Sequence, residues 1–165
     1  MESRRRVIAI VGHQGSGKTT LIERLIPAIR GHGLTVSTVK HTHHHHIEFD
    51  TPGKDSYRHR VAGASEVIVA SDTGWARIAA SSEAASLADL LDQLRPVDLV
   101  LVEGFKQLES LRRVEVFRGP GAPLAASDSR IAAVATPAGV PIAGFSGPRL
   151  PLDDMEAILK FILSN

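Results

Sequence analysis

The sequence predicts an α/β fold: a mostly parallel central sheet flanked by helices, with a short antiparallel hairpin as an extension. Three observations carry that expectation. Residues 7–20, VIAIVGHQGSGKTT, join a short apolar strand to a glycine-rich turn and the start of a helix. Residues 98–104, DLVLVEG, form a nearly continuous apolar run, the pattern of a central strand covered on both faces. Strand, helix and strand follow one another within about 35 residues of the amino-terminal part, which is a βαβ unit with the usual right-handed crossover.

The first element is also the most informative. Gly12, Gly17, Lys18 and Thr19 fill the fixed positions of G-x-x-x-x-G-K-[ST], and VIAIV at 7–11 supplies the buried strand that must precede it. Gly12, Gly15 and Gly17 lack side chains, so the backbone can curl with its N–H groups turned inward into an anion-binding concavity. The helix that follows adds its positive end. Lys18 can reach β- and γ-phosphate oxygens as a compact charge, and the Thr19 hydroxyl can ligate Mg²⁺. The expected architecture is therefore a single domain over 1–165 with the three-layer, Rossmann-like P-loop NTPase fold.

The remaining elements follow in order. Leu21, Ile22, Leu25, Ile26 and Ile29 share one helical face. Gly31-His32-Gly33 ends that segment, and Pro27 inside it should bend or shorten it. Residues 34–40 read as the second strand. A short helix is expected over 54–62, a strand over 66–70, a turn at 71–74 and a further strand over 75–80, together a helix and a hairpin. Leu87, Leu90, Leu91 and Leu94 place a helix over 86–94. Beyond 98–104, strands are expected over 113–117, 131–135 and 141–145, and an amphipathic helix over 152–163. The segment 118–127, with two prolines and two glycines, reads as a mobile loop.

Composition sets limits. With 165 residues the chain can bury one substantial core. Nineteen basic against 18 acidic residues leave a net charge of +1, so nothing global suggests a nucleic-acid or membrane surface and phosphate binding must be local. The absence of cysteine removes disulfides and thiolate metal sites. The apolar run behind the amino-terminal arginines is too short for a signal-peptide core, and no stretch approaches the roughly 20 apolar residues of a membrane span. A soluble, cytoplasmic protein is expected.

Further candidate residues cluster around strand ends. Glu103, at the carboxyl end of the 98–104 strand, is the best second acidic element for Mg²⁺, which takes hard oxygen ligands. A carboxylate that merely caps the strand is the alternative, and Asp98 should lie at the opposite end of the sheet. Residues 40–53, KHTHHHHIEFDTPG, begin where the second strand should end, the side on which open parallel sheets bind ligands. His41 and His43, His44, His45 and His46 admit a metal site, an anion or pterin surface, or a solvated loop; successive strand residues alternate sides, so two or three at most converge. Asp50 can contact Mg²⁺ or orient water. Lys54, Asp55, Arg58 and Arg60 add charge that also reads as a solvated helix face. No N-K-x-D occurs, so guanine is not legible from spacing.

Taken together, VGHQGSGKTT, VKHTHHHHIEFDTPGKDSYRHRVAGA and LVEGFK resemble the molybdopterin-guanine dinucleotide biosynthesis protein B family, from about residue 7 through the final helix. The resemblance implies GTP with Mg²⁺ as ligand, weak intrinsic GTPase activity, homodimers and molybdopterin as a further ligand. It implies a helper role beside a molybdenum cofactor guanylyltransferase of the MobA type, which joins GMP to molybdopterin. On matching positions Gly15, Ser16, Gly17, Lys18, Thr19 and Thr20 would bind phosphates and magnesium, and Glu103 would complete the metal shell. His44, His45, Asp50, Lys54 and Asp55 belong to the family's second block. Hydrolysis would use Lys18, with Asp50 and Glu103 as candidates for positioning water. The rival functions are a small-molecule kinase using the same loop and a metallochaperone NTPase carrying Ni²⁺ or Zn²⁺ on the histidines.

Overall fold

The computed structural model describes residues 5–42, 50–79, 85–104 and 111–164. In chain order these form β1 (Arg6–Val11), α1 (Lys18–Gly31), β2 (Val36–Lys40), α2 (Asp55–Val61), β3 (Glu66–Ser71), β4 (Gly74–Ala79), α3 (Leu87–Asp92), β5 (Leu99–Glu103), β6 (Arg112–Val116), β7 (Ile131–Thr136), β8 (Arg149–Pro151) and α4 (Met155–Leu163). Two compact units result: Met1–Thr42 with Leu90–Asn165, and His43–Asp89.

The first unit holds a six-stranded sheet in the order β2-β5-β1-β6-β7-β8, every pairing parallel. β1 is central, and the chain runs to one side of it through β2 and β5 and to the other through β6, β7 and β8. Such a reversal opens a crevice at the carboxyl ends of the strands, because loops leaving β1 and its neighbours diverge there. The register sets both Ile10 of β1 and Lys40 of β2 beside Glu103 of β5. The turn leaving β1 therefore emerges level with that carboxylate.

Alternation along each strand decides what lies on each face of the sheet. Ile8 and Ile10, Leu99 and Leu101, and Val114 and Val116 face Leu21, Leu25 and Ile29 of α1 and Ile158, Leu159 and Ile162 of α4 in one core cluster. Each such side chain contributes about 1.5–3 kcal/mol on burial. The alternate residues Ala9, Val11, Val100, Val102 and Val134 are buried too, as a parallel sheet covered on both faces requires. The Asp154 carboxylate caps α4 by accepting the Ala157 N–H at 2.9 Å.

Three expectations change. Pro27 neither breaks nor shortens α1, which runs unbroken to Gly31. The ring sits on the exposed face, where the carbonyl that loses its donor can turn to water. Residues 141–145 are no strand: Gly144 has φ +74° in a turn there, and a Cβ on it would come within 3.0 Å of Ala126. The edge strand comes later, as β8. Residues 118–127 are irregular only in part, since Leu124–Ala126 forms a 3₁₀ turn. Its N–H groups are held by a buried carboxylate described below.

In the second unit, β3 and β4 form the expected antiparallel hairpin, with Glu66 opposite Ala79 and Ser71 opposite Gly74; residue 80 lies outside the described residues. The Ser71 hydroxyl braces the turn by donating to the Gly74 carbonyl at 3.2 Å. Arg77 Nε meets Glu66 Oε2 at 2.8 Å across the strands. Ser86 and Asp89 form a reciprocal cap at the start of α3: the Asp89 carboxylate accepts from the Ser86 hydroxyl and N–H, and Asp89 N–H donates back to the hydroxyl. Those bonds, the hydroxyl first, hold the Asp89 carboxyl below its usual range. Among the described residues no helix is long and apolar enough to cross a membrane.

A candidate phosphate and magnesium site at the central strand

Between β1 and α1 the backbone takes conformations that only glycine accepts cheaply. Gly12 has φ +148°, Gly15 +75° and Gly17 +95°. A Cβ on Gly12 would lie 2.5 Å from the Val116 carbonyl oxygen and 2.6 Å from Ser16 Oγ, so the turn is pressed against the end of β6. Gly17 precedes α1 without any side-chain cap, and the first turn of the helix carries no acidic residue. The N–H groups there and the positive end of the helix have no anion supplied by the helix itself, which is what an anion-binding helix start offers.

The polar side chains gather on the same turn. Lys18 Nζ donates to the carbonyls of Gly12 at 3.1 Å and His13 at 2.8 Å. Ser16 Oγ is buried and has no hydrogen-bond partner among the described residues, an unsatisfied group facing the concavity's own backbone. The Thr19 hydroxyl donates to Glu103 Oε1 at 3.1 Å and Oε2 at 3.2 Å. Lys40 Nζ lies 3.7 Å from Glu103 Oε1. Glu103 is only 13% exposed while Lys40 is 61% exposed, so the carboxylate is fixed and the ammonium can swing away. A threonine hydroxyl beside a carboxylate is a hard-oxygen donor pair of the kind Mg²⁺ takes. Thr20 stands exposed in the first turn of α1.

Sequence reasoning missed the segment behind β6. Arg118 Nε donates to the Ser16 carbonyl at 3.0 Å, and its guanidinium lies within 3.2–3.4 Å of where a Cβ on Gly17 would be. His13 Nε2 is 3.2 Å from the Ala122 carbonyl oxygen. The segment is tied down from β6 itself. Glu115, fully buried, accepts the N–H groups of Leu124 at 2.7 Å and Ala125 at 2.8 Å. Arg113, two residues earlier on the same face and 2% exposed, meets Asp128 Oδ2 at 3.0 Å. Arg130 grips the same carboxylate at 2.7 and 3.0 Å. Asp128 is held below the usual carboxylate range, first by Arg130's hydrogen bond and also by the Arg113 charge. The available signal was RRVEVFR: charges inside an apolar strand demand partners.

The other candidates fall as follows. His44 and His45, with His43 and His46, lie outside the described residues. His41 extends the β2 ladder by donating its N–H to the Glu103 carbonyl at 2.8 Å. Asp98 does sit at the far end of β5, where it accepts the Thr35 hydroxyl at 2.6 Å and the Thr35 N–H at 2.8 Å. Those bonds, in that order, lower its pKa. In the second unit, Asp50 Oδ1 accepts the Ser56 hydroxyl at 2.8 Å, while Oδ2 is buried without a hydrogen-bond partner among the described residues. Lys54 precedes α2, and Asp55 and Arg58 form an exposed pair at 3.8 Å, worth only tenths of a kcal/mol. Among the described residues no three His, Asp or Glu side chains gather as a metal site.

Residues 7–137 match the family model described as molybdopterin guanine dinucleotide synthesis protein B. A molybdopterin-guanine dinucleotide biosynthesis adapter protein of Haemophilus influenzae is 43% identical over 79% of this chain and 74% of its own length. One from Escherichia coli is 36% identical over 95% of this chain and 91% of its own. The crystal structure of a molybdopterin-guanine biosynthesis protein B superimposes with a TM-score of 0.72 at 30% identity, covering 95% of this chain and 97% of that one. The six-stranded sheet with its flanking helices and separate two-stranded sheet is the P-loop NTPase fold of those structures.

Proposed function

The chain belongs to the molybdopterin guanine dinucleotide synthesis protein B family, and from that premise we propose that it is a GTP-binding adapter of molybdenum cofactor biosynthesis. It assists a partner guanylyltransferase of the MobA type, which joins GMP to molybdopterin, and it works in the cytoplasm as a homodimer. The observation that carries the nucleotide half of this reading is the uncapped start of α1 facing a glycine turn with Lys18, beside the Thr19–Glu103 pair.

Each residue then has a task. Backbone N–H groups from Gly15 to Thr20 bind phosphate oxygens, and Lys18 adds charge toward the β- and γ-phosphates. Thr19 and Glu103 would hold Mg²⁺, which would supply charge neutralisation on the phosphates. Lys40 releases Glu103 for that task. Asp50 and Glu103 are the carboxylates proposed to orient water. Turnover by the isolated protein is expected below about 1 per second, the low end for enzymes. His44, His45, Lys54 and Asp55 are proposed for the pterin side of the ligand. No comparison supports a small-molecule kinase or a metallochaperone.

The test combines binding and assistance. Lys18→Ala should weaken GTP binding in calorimetry and remove the stimulation of guanylyl transfer by the partner. Unchanged stimulation by that variant, with unchanged GTP affinity, would overturn the reading.

A further inference from the structure

A second concavity opens beside the phosphate turn, on the side of β1 away from Glu103. Its volume is about 220 Å³, and it is lined by Arg24, Arg118, Pro137, Ala138, Leu152 and Asp153. Topology explains its place. Arg118 lies just beyond the end of β6, Pro137 directly follows β7, and Leu152 and Asp153 directly follow β8. All three strands end at the edge of the sheet where β1 delivers the phosphate turn. Arg118 belongs to both features, since it lines this cavity and donates to Ser16 of the turn. Arg24 comes six residues after Lys18 on α1, roughly 9 Å along the axis at about 1.5 Å per residue. That is the scale of the step from a nucleotide's inner phosphates to its base.

The walls suit a flat heterocycle with a polar edge. Pro137, Ala138 and Leu152 are apolar, and the Arg118 guanidinium is a planar cation of the kind that stacks on aromatic faces. The volume is below the roughly 300–1,000 Å³ of pockets that engulf a drug-sized ligand, so one base fits and a dinucleotide does not. The turn after β8 is fixed from below: Arg24 donates to the carbonyls of Leu152 at 3.2 Å and Asp153 at 3.3 Å. Its main-chain carbonyl so engaged, Asp153 keeps an exposed carboxylate that makes no hydrogen bond or ion pair among the described residues.

We infer that this cavity is the base subsite, and that Asp153 selects guanine by accepting its N1–H and exocyclic N2–H₂ on the two carboxylate oxygens. Adenine offers an unprotonated N1 on that edge, so it would place a lone pair against the carboxylate. Guanine reading would thus occur without the N-K-x-D sequence, from the turn after the last strand. The inference rests on the proposed nucleotide reading and deepens it.

A nucleotide-swap titration tests it. Asp153→Asn replaces one acceptor by an amide donor, which complements the 2-oxo group of xanthine. GTP, ATP, XTP and inorganic triphosphate are titrated into the full chain, its Asp153→Asn variant and its Asp153→Ala variant. Wild type should prefer GTP to ATP by at least about tenfold. Asp153→Asn should lose about 10- to 100-fold for GTP, the range of a charged hydrogen bond, and gain affinity for XTP. Asp153→Ala should lose the preference without gaining XTP. Triphosphate affinity should not change in either variant. Equal GTP and ATP affinity in wild type, or GTP affinity retained by Asp153→Asn, overturns the base subsite alone. Failure of wild type to bind triphosphate and GTP overturns the phosphate reading beneath it.

Discussion

Replacing Gly12 by alanine separates the phosphate turn as a built device from a turn that merely happens to be glycine-rich. A Cβ there would stand 2.5 Å from the Val116 carbonyl oxygen and 2.6 Å from Ser16 Oγ. Val116 is fully buried at the end of a strand paired on both sides, so its carbonyl cannot yield far. Overpacking of this kind costs about 1–3 kcal/mol, and a φ of +148° on a non-glycine residue costs about another 1–3 kcal/mol. Together roughly 2–6 kcal/mol must be met by distorting the turn, most of that range lying below the 5–15 kcal/mol stability of a typical domain. The variant should therefore fold, with a displaced turn and GTP affinity at least about 30-fold weaker. Gly15→Ala is the control: φ is +75° with nothing within 4 Å of a new Cβ, so about 1 kcal/mol is expected. Urea unfolding and calorimetry on both variants decide the matter. Equal effects, or a Gly12→Ala protein that binds GTP like wild type, would refute the reasoning.

Thr19→Ala and Glu103→Ala should each weaken magnesium-supported GTP binding by about 10- to 100-fold while leaving binding in chelator unchanged, as read by titrations with and without Mg²⁺. Asp128→Ala should destabilise the protein by about 3–5 kcal/mol, because it removes a partner of the buried Arg113 guanidinium; Asp128→Asn, which keeps an acceptor, should cost less in urea unfolding. Asp98 has a lowered pKa in the folded state, so its contribution is present above the ordinary value of 3.8 and is lost as pH falls through the folded one. The stability gap between wild type and Asp98→Asn should accordingly be open near neutral pH and close in acid.

What could be read from the sequence was whatever a single segment determines. The strand, turn and helix over residues 7–31 carry their own spelling, and β5 declares both its burial and its terminal acid. Glu103 is expected at the carboxyl end of its strand, and the register sets it level with the end of β1, where it meets the Thr19 hydroxyl. What could not be read depends on which residues meet across the fold. Residues 141–145 are as apolar as many strands, yet the positive φ of Gly144 makes a turn of them. Arg118 touches a backbone carbonyl 102 positions away, a contact with no trace in either local sequence. The cavity beside it is assembled from the ends of three strands and one helix, so none of its walls is a motif.

The two buried charges of β6 explain why that strand matters to the site although no motif lies on it. Arg113 and Glu115 occupy alternate positions and so share one face of the sheet, opposite Val114 and Val116 in the core. A carboxylate taken wholly out of water is tolerated only when hydrogen bonds replace its hydration, and Glu115 finds two in the N–H groups of Leu124 and Ala125. Satisfying that carboxylate fixes the return of the chain, and Arg113 with Asp128 fixes it again four residues later. Between the strand and these anchors runs the stretch that carries Arg118 and Ala122, both in contact with the phosphate turn. Val116, from the same strand, forbids a side chain at Gly12. β6 therefore shapes the turn from below with its carbonyl and from the side with its following loop, and the glycine turn proposed to bind the anion is braced without any ligating residue on the strand that stiffens it.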